Sequence, residues 1–203
     1  MISARPTDEG PYQGKFLAAM PGMPDDRFRS TLIYVCKHTD DGAMGLVANK
    51  PHSNLNFKGL LSELSMEADS KVTTDDIVLS NRDGTIEIYE GGPVEGHRGF
   101  VLHSNDFFIS STVPVGPKLG MTTTLDVLRH ISTGTGPARA LIAMGYSGWG
   151  AGQLEQEIAE NGWLVCPADA ELLFSAPADE RYTLALASIG VDRNLLSSQV
   201  GHA

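Results

Sequence analysis

The chain has 203 residues, 41% of them hydrophobic and 20% charged, enough for one sizeable core and short for two independent ones. Its formal charge of −10 makes a surface that repels phosphate backbones and argues against direct nucleic-acid binding. The opening MISARPTDEGPYQGKF lacks the apolar core of a signal peptide and no apolar run reaches membrane-span length, so a soluble cytoplasmic protein without membrane contact is expected.

Residues 1–13 are polar and rich in Pro and Gly, the composition of a flexible tail, and residues 14–203 are expected to form one domain. Lys15–Met20 predicts a short apolar strand stopped by the turn-forming PGMPDD. STLIYVCKH (Ser30–His38) is rich in β-branched and aromatic types. With the turn signal Asp40-Asp41-Gly42 and the following AMGLVANK it predicts a hairpin. Leu55–Leu64 carries apolar residues at 57, 60, 61 and 64, the spacing of a one-faced helix. Residues 66–76 predict a surface loop, and Ile77–Leu79 and Thr85–Glu90 a second hairpin around Asn81-Arg82-Asp83-Gly84.

Phe100–His103 and Phe107–Val113 predict extended segments. Thr123 followed by Asp126 approximates a capping box, opening a helix with Leu125, Leu128 and Ile131 on one side and ending near Gly134. Arg139–Tyr146 is mostly apolar, as in a strand covered on both faces. A turn over Gly148–Gly152 leads to a helix over Gln153–Glu160 stopped by Asn161-Gly162, then an extended Trp163–Cys166 and a final helix over Glu180–Ile189. Short turns between neighbouring strands join antiparallel pairs and cannot make parallel crossovers, so the class is α+β with a largely antiparallel or mixed sheet.

Two glycine-rich stretches are candidate sites. In GGPVEGHRGFVLHS, Gly91, Gly92 and Pro93 break the chain, and Gly96 and Gly99 bracket His97-Arg98, which places that pair on a loop tip. Beyond it, Phe100 and Leu102 face one way and Val101 and His103 the other. Arg98 suits a carboxylate or phosphate and either histidine could move protons. The alternative, which the spacing favours, is that these side chains bond backbone carbonyls and pin the loop. The second stretch is GYSGWGAGQLEQEIAENGW, where Gly145-Tyr146-Ser147-Gly148-Trp149 falls one residue short of a hydrolase elbow because Trp149 stands where glycine is needed. A triad of Ser147, Asp192 and His202 is allowed by chain order alone. Packing of Trp149 and Tyr146 over the helix is the favoured account, with Gly148 and Gly150 letting the backbone pass close.

Lesser features have plain readings. Cys36 and Cys166 fit no metal or redox spacing and are expected as buried thiols. Cys36 and His38 alternate onto one strand face, and Glu155 in a first helical turn complements the dipole. Glu157 and Glu160 share a helical face, the pattern of a solvated surface. Arg27, Arg29 and Lys37 are the best basic patch, weakened by the adjoining Asp25 and Asp26.

The order and spacing of GKFLAAMPGMPDDRFRSTLIYVCKH, DGAMGLVANKP, GGPVEGHRGFVLHS, TTTLDVL, GYSGWGAGQLEQEIAENGW and the closing GHA resemble the YqgE/AlgH family of bacterial proteins over residues 14–203. The resemblance implies a single α+β domain whose branched sheet curls into a pseudo-barrel with flanking helices. Members are of uncharacterised function and are often labelled transcriptional regulators, and the resemblance brings no reaction, cofactor or catalytic residues. The positions matching the family motifs are Gly91, Gly92, Pro93, His97, Arg98, Gly99 and His103, then Gly145, Gly148, Trp149, Gly150, Gln153, Leu154 and Glu157. The loop over residues 66–85 is longer than the family pattern.

The expected function is therefore a non-enzymatic binding or regulatory protein, acting on transcription indirectly, without metal or cofactor. Its partner is expected to be another protein or a small anionic ligand. The expected recognition surface combines His97, Arg98 and His103 with Ser147, Trp149 and Gln153. The alternative is a small-molecule hydrolase working through His97 or His103 and Arg98.

Overall fold

The computed structural model describes residues 10–67 and 86–196. Chain order runs β1 (Lys15–Ala19), β2 (Leu32–Thr39), β3 (Gly42–Val47), β4 (Pro51–Asn56), α1 (Phe57–Glu67), β5 (Glu87–Glu90), β6 (Val94–Ser104), β7 (Val113–Pro114) and β8 (Leu119–Thr122). It continues with α2 (Leu125–Ser132), β9 (Ala140–Gly150), α3 (Gln153–Ala159), β10 (Trp163–Pro167), α4 (Ala170–Ser175) and α5 (Ala178–Ala187). The strands form one sheet in the order β10-β1-β2-β3-β9-β6-β8-β7, and β4 and β5 branch from it through β9. All strand pairings among the described residues are antiparallel except β5 with β9. Among the described residues the sheet curls into a half-barrel carrying five α-helices, an α+β single domain.

Strand alternation sorts the apolar residues into three clusters. Phe16, Tyr34, Cys36, Phe100, Leu102, Leu141 and Ala143 point inward and meet Leu173 of α4 and Leu186 of α5. Their neighbours point outward. Val101 and Ile142 pack under α1 and α2 with Phe57, Leu60, Val127, Leu128 and Ile131, and Leu17, Ile33 and Val35 pack under α3 with Trp149, Leu154 and Trp163. The two-sided burial expected of the Arg139–Tyr146 run is thus observed in β9. Deep hydrogen bonds tie the layers together: the Tyr34 hydroxyl donates to the Val115 carbonyl at 2.5 Å and the Tyr182 hydroxyl to the Ala19 carbonyl at 2.6 Å.

Several boundaries differ from the sequence expectation. Leu55 belongs to β4, and α1 starts at Phe57 because the Asn56 Oδ1 accepts the Gly59 amide at 2.8 Å. The capping box is not formed: Thr124 is the N-cap of α2 and makes no side-chain cap bond, its hydroxyl meeting the Ser111 hydroxyl at 3.0 Å while Asp126 pairs with Arg129. Leu125 is exposed, and Val127 takes its place on the buried face. Phe107–Val113 is mostly irregular, with only Val113–Pro114 in a strand. The final helix begins earlier, at Ala178. The Ile77–Leu79 hairpin and His202 lie outside the described residues. Of the residues expected as tail, Gly10 and Gln13 bond β2: the Gly10 amide meets the His38 carbonyl and the Gln13 side chain accepts the His38 amide.

Candidate functional site

The two glycine-rich stretches meet at one junction. β9 pairs with β5 and β3 along one edge and with β6 along the other, so β3, β5 and β6 converge where β9 passes Gly145. The Gly91 amide bonds the Met144 carbonyl at 2.8 Å, and the Gly91 carbonyl accepts the Val47 amide at 2.9 Å. A Cβ on Gly91 would overlap the Gly145 carbonyl oxygen, and one on Gly92 the Tyr146 carbonyl. Gly145 has φ +73°, a left-handed conformation that shifts the alternation of β9. The branch is built backbone against backbone.

β6 corrects the expected loop tip. Val94–Ser104 is one strand, and Gly96 and Gly99 lie inside it at a register irregularity against β9 between Val94 and Gly99. Because the pair sits on a strand, His97 and Arg98 point to opposite sides. His97 follows Gly99 and Val101 toward the helices, and its ring makes no hydrogen bond among the described residues. Arg98 lies over the Phe100 ring, 5.3 Å from its centroid, and pairs with Glu95 at 3.0 Å. Among the described residues Arg98 therefore pins no carbonyl.

His103 does the pinning. It is fully buried, with Nδ1 2.9 Å from the Ser104 carbonyl oxygen and Nε2 3.0 Å from the Thr122 hydroxyl. The carbonyl can only accept, so Nδ1 carries the proton and Nε2 of the neutral ring accepts from Thr122. The Thr122 hydroxyl then accepts from Thr112 at 2.9 Å, and the Thr112 oxygen takes the Ile109 amide at 3.1 Å. Burial depresses the His103 pKa below the ordinary imidazole value, against the opposing pull of the Ser104 carbonyl and Asp106.

The second stretch turns its side chains elsewhere. Ser147 is buried, and its hydroxyl has no partner among the described residues. The Trp149 and Trp163 indoles donate to one carboxylate oxygen of Glu157 at 2.8 and 2.7 Å and meet edge to face. Gln153 Nε2 donates to the other oxygen at 2.8 Å while its carbonyl accepts the Gly150 amide at 3.0 Å. Glu157 is thus a half-buried clamp, not a solvated surface carboxylate, and sequence reasoning missed it. Asp192 accepts the Asn194 amide in a short turn.

Other features also resolve. A register irregularity between Val35 and Lys37 separates Cys36 from His38: Cys36 joins the inner core, while His38 meets Tyr12 and Glu155. Both cysteines are buried free thiols; burial raises the Cys36 pKa strongly and that of Cys166 to about 11. Arg27 is paired with Asp25 and Arg29 with Asp26, which cancels most of the basic patch.

One cleft gathers chemistry around a β6 residue. A cavity of about 120 Å³ opens between β6, β9, α1 and α2. Its apolar walls include Leu60, Val101, Leu128 and Ile142, and His97 and Thr122–Thr124 supply the polar lining. Thr122 therefore separates the cleft from the buried His103 chain. Among the described residues no group of His, Cys, Asp and Glu is arranged to hold a metal ion, and no helix is long and apolar enough to cross a membrane.

A branched half-barrel joined through glycines, with a small apolar cleft beside the branch, defines the class of protein. The AlgH-like family model matches residues 16–194, and the chain belongs to that family. A UPF0301 protein of Rhizobium leguminosarum bv. trifolii is 49% identical over 97% of this chain and 95% of its own, and one of Agrobacterium fabrum is 47% identical over the same shares. The solution structure of the AlgH protein from Pseudomonas aeruginosa matches all of both chains at 44% identity with a TM-score of 0.74. A crystal structure from Corynebacterium diphtheriae, at 17% identity and a TM-score of 0.64 over 92% of this chain and 93% of that one, shares the fold.

Proposed function

We propose that the protein is a non-enzymatic cytoplasmic binding or regulatory protein whose recognition element is the cleft between β6, β9, α1 and α2. The observation that carries this reading is an apolar hollow with an unpartnered imidazole in its wall. Its volume of about 120 Å³ is close to the roughly 150 Å³ that accommodates benzene in a protein interior. The fitting ligand is a small aromatic or branched alkyl group with one polar head for His97, either free or as a partner protein's side chain.

The hydrolase alternative is less well supported. It needs Arg98 to converge with His97 or His103, yet His103 has both nitrogens engaged internally and Arg98 points away from His97. The charge of −10 and the paired Arg27 and Arg29 favour an indirect route to any effect on transcription. The test is a calorimetric titration with benzyl alcohol, benzamide and benzoate. Saturable heat is expected for at least one probe, lost in Met144→Trp, which fills the cleft, and weakened in His97→Ala. No heat from any probe at millimolar concentration, or heat unchanged in Met144→Trp, overturns the reading.

A further inference from the structure

His38 does not line the cleft. Its side chain is only 4% exposed, and Nε2 sits 2.6 Å from Glu155 Oε1 at the start of α3. The irregularity in β2 between Val35 and Lys37 aims the ring out of the inner core toward this partner. With Glu155 as a carboxylate, Nε2 carries the shared proton and Nδ1 is left as a lone pair. That nitrogen is buried and has no hydrogen-bond partner among the described residues. A buried lone pair left without a donor keeps an unmet desolvation cost, which an incoming donor would relieve. A carboxylate-oriented imidazole with its other nitrogen free is the arrangement of a proton-accepting or ligand-binding histidine.

What closes the site is Gly10. Its backbone lies so tightly over the ring that a Cβ there would overlap Nδ1 and come within 2.7 Å of Cε1. The chain from Gly10 to Gly14 forms a strap over this end of β2. The Gly10 amide donates to the His38 carbonyl at 2.7 Å, the Gln13 side chain accepts the His38 amide at 3.3 Å, and the Gly14 amide bonds the Val35 carbonyl at 2.9 Å. The Tyr12 ring packs 5.0 Å from the imidazole. No strap residue is fully buried, in contrast to Phe16 and Leu17 just beyond it. A segment held by a few half-exposed hydrogen bonds and the partly buried Tyr12 ring, which packs on the cluster under α3, opens at lower cost than the core it covers.

We infer that Glu155 and His38 form an oriented imidazole site that the Gly10–Gly14 strap covers, and that lifting the strap admits a hydrogen-bond donor, a hydroxyl or amide N–H, to Nδ1. The strap is an autoinhibitory contact made by the chain itself. Glycine at position 10 is required for closure, because only a residue without Cβ fits against the ring.

The test uses diethyl pyrocarbonate, which acylates unprotonated imidazole nitrogens, with the modified histidines mapped by mass spectrometry. In the full chain His38 is expected to react at least about tenfold more slowly than exposed His97. In Gly10→Ala it is expected to approach the His97 rate, while buried His103 stays protected and the Gly14 amide exchanges faster with solvent. Tyr12→Ala, which leaves Gly10 in place, is expected to fall between the two. Reaction of His38 as fast as His97 in the unmodified sequence overturns the cover. So does a protected His38 in Gly10→Ala despite fast Gly14 exchange. A parallel rise at His103 in both variants also overturns it, because the strap would then not open independently of the core.

Discussion

Glu157→Ala is the sharpest probe of how the second glycine-rich stretch is held. The Glu157 carboxylate accepts the indole N–H of Trp149, 7% exposed, and of Trp163, 2% exposed. Truncation strands two buried donors, each costing about 1–3 kcal/mol when left without a partner. The Gln153 amide is exposed and regains water at little cost. Because Glu157 is itself half-buried, some solvent can enter the space, which places the net loss at the lower end, about 2–3 kcal/mol. For a chain of this size that is a fall in Tm of about 5–10 °C. Glu157→Gln keeps one carbonyl oxygen able to accept both indoles and should lose only about 1 kcal/mol. Urea unfolding followed by tryptophan fluorescence suits the question, since the chain's two tryptophans are the two donors. A Glu157→Ala variant within about 0.5 kcal/mol of the parent would refute the clamp.

Three further outcomes are expected. Gly92→Ala places a Cβ against the Tyr146 carbonyl at φ +152° and should cost about 3 kcal/mol or more, whereas Gly96→Ala, with open space around it, should change the urea midpoint little. Removing the Tyr34 hydroxyl with Tyr34→Phe leaves the buried Val115 carbonyl without its donor and should cost about 1 kcal/mol in the same assay. The folded state binds a proton at His103 less readily than the unfolded chain does. Its contribution to stability is therefore complete above the unfolded value of about 6.5 and is lost as pH falls below it, and the loss levels off once pH passes the lower folded value. Unfolding free energies between pH 7.5 and 5 should fall more steeply for the parent than for His103→Gln, and equal slopes would remove His103 from the account.

Much of the architecture was legible because it follows from local pattern. Asp40-Asp41-Gly42 marks the β2–β3 turn, and the unbroken apolar run of β9 marks a strand buried on both sides. β8 and α4 were not legible: each is short, and each is fixed by distant partners, β8 by its pairing with β6 and α4 by packing in the inner core. The convergence of the two glycine-rich stretches was expected, and their backbones do meet. Their side chains diverge because Gly96 and Gly99, which suggest a loop, lie within a strand that sends His97 and Arg98 to opposite sides. The His38–Glu155 pair spans 117 positions and has no local signal at all.

The cleft beside the junction is the proposed recognition element, and intermolecular NOEs between bound benzyl alcohol and the protein's methyl groups test it most directly. Contacts are expected from the ring protons to the methyls of Val101, Leu128 and Ile142, absent in Met144→Trp. Saturable binding with NOEs only to residues outside this cleft would contradict it.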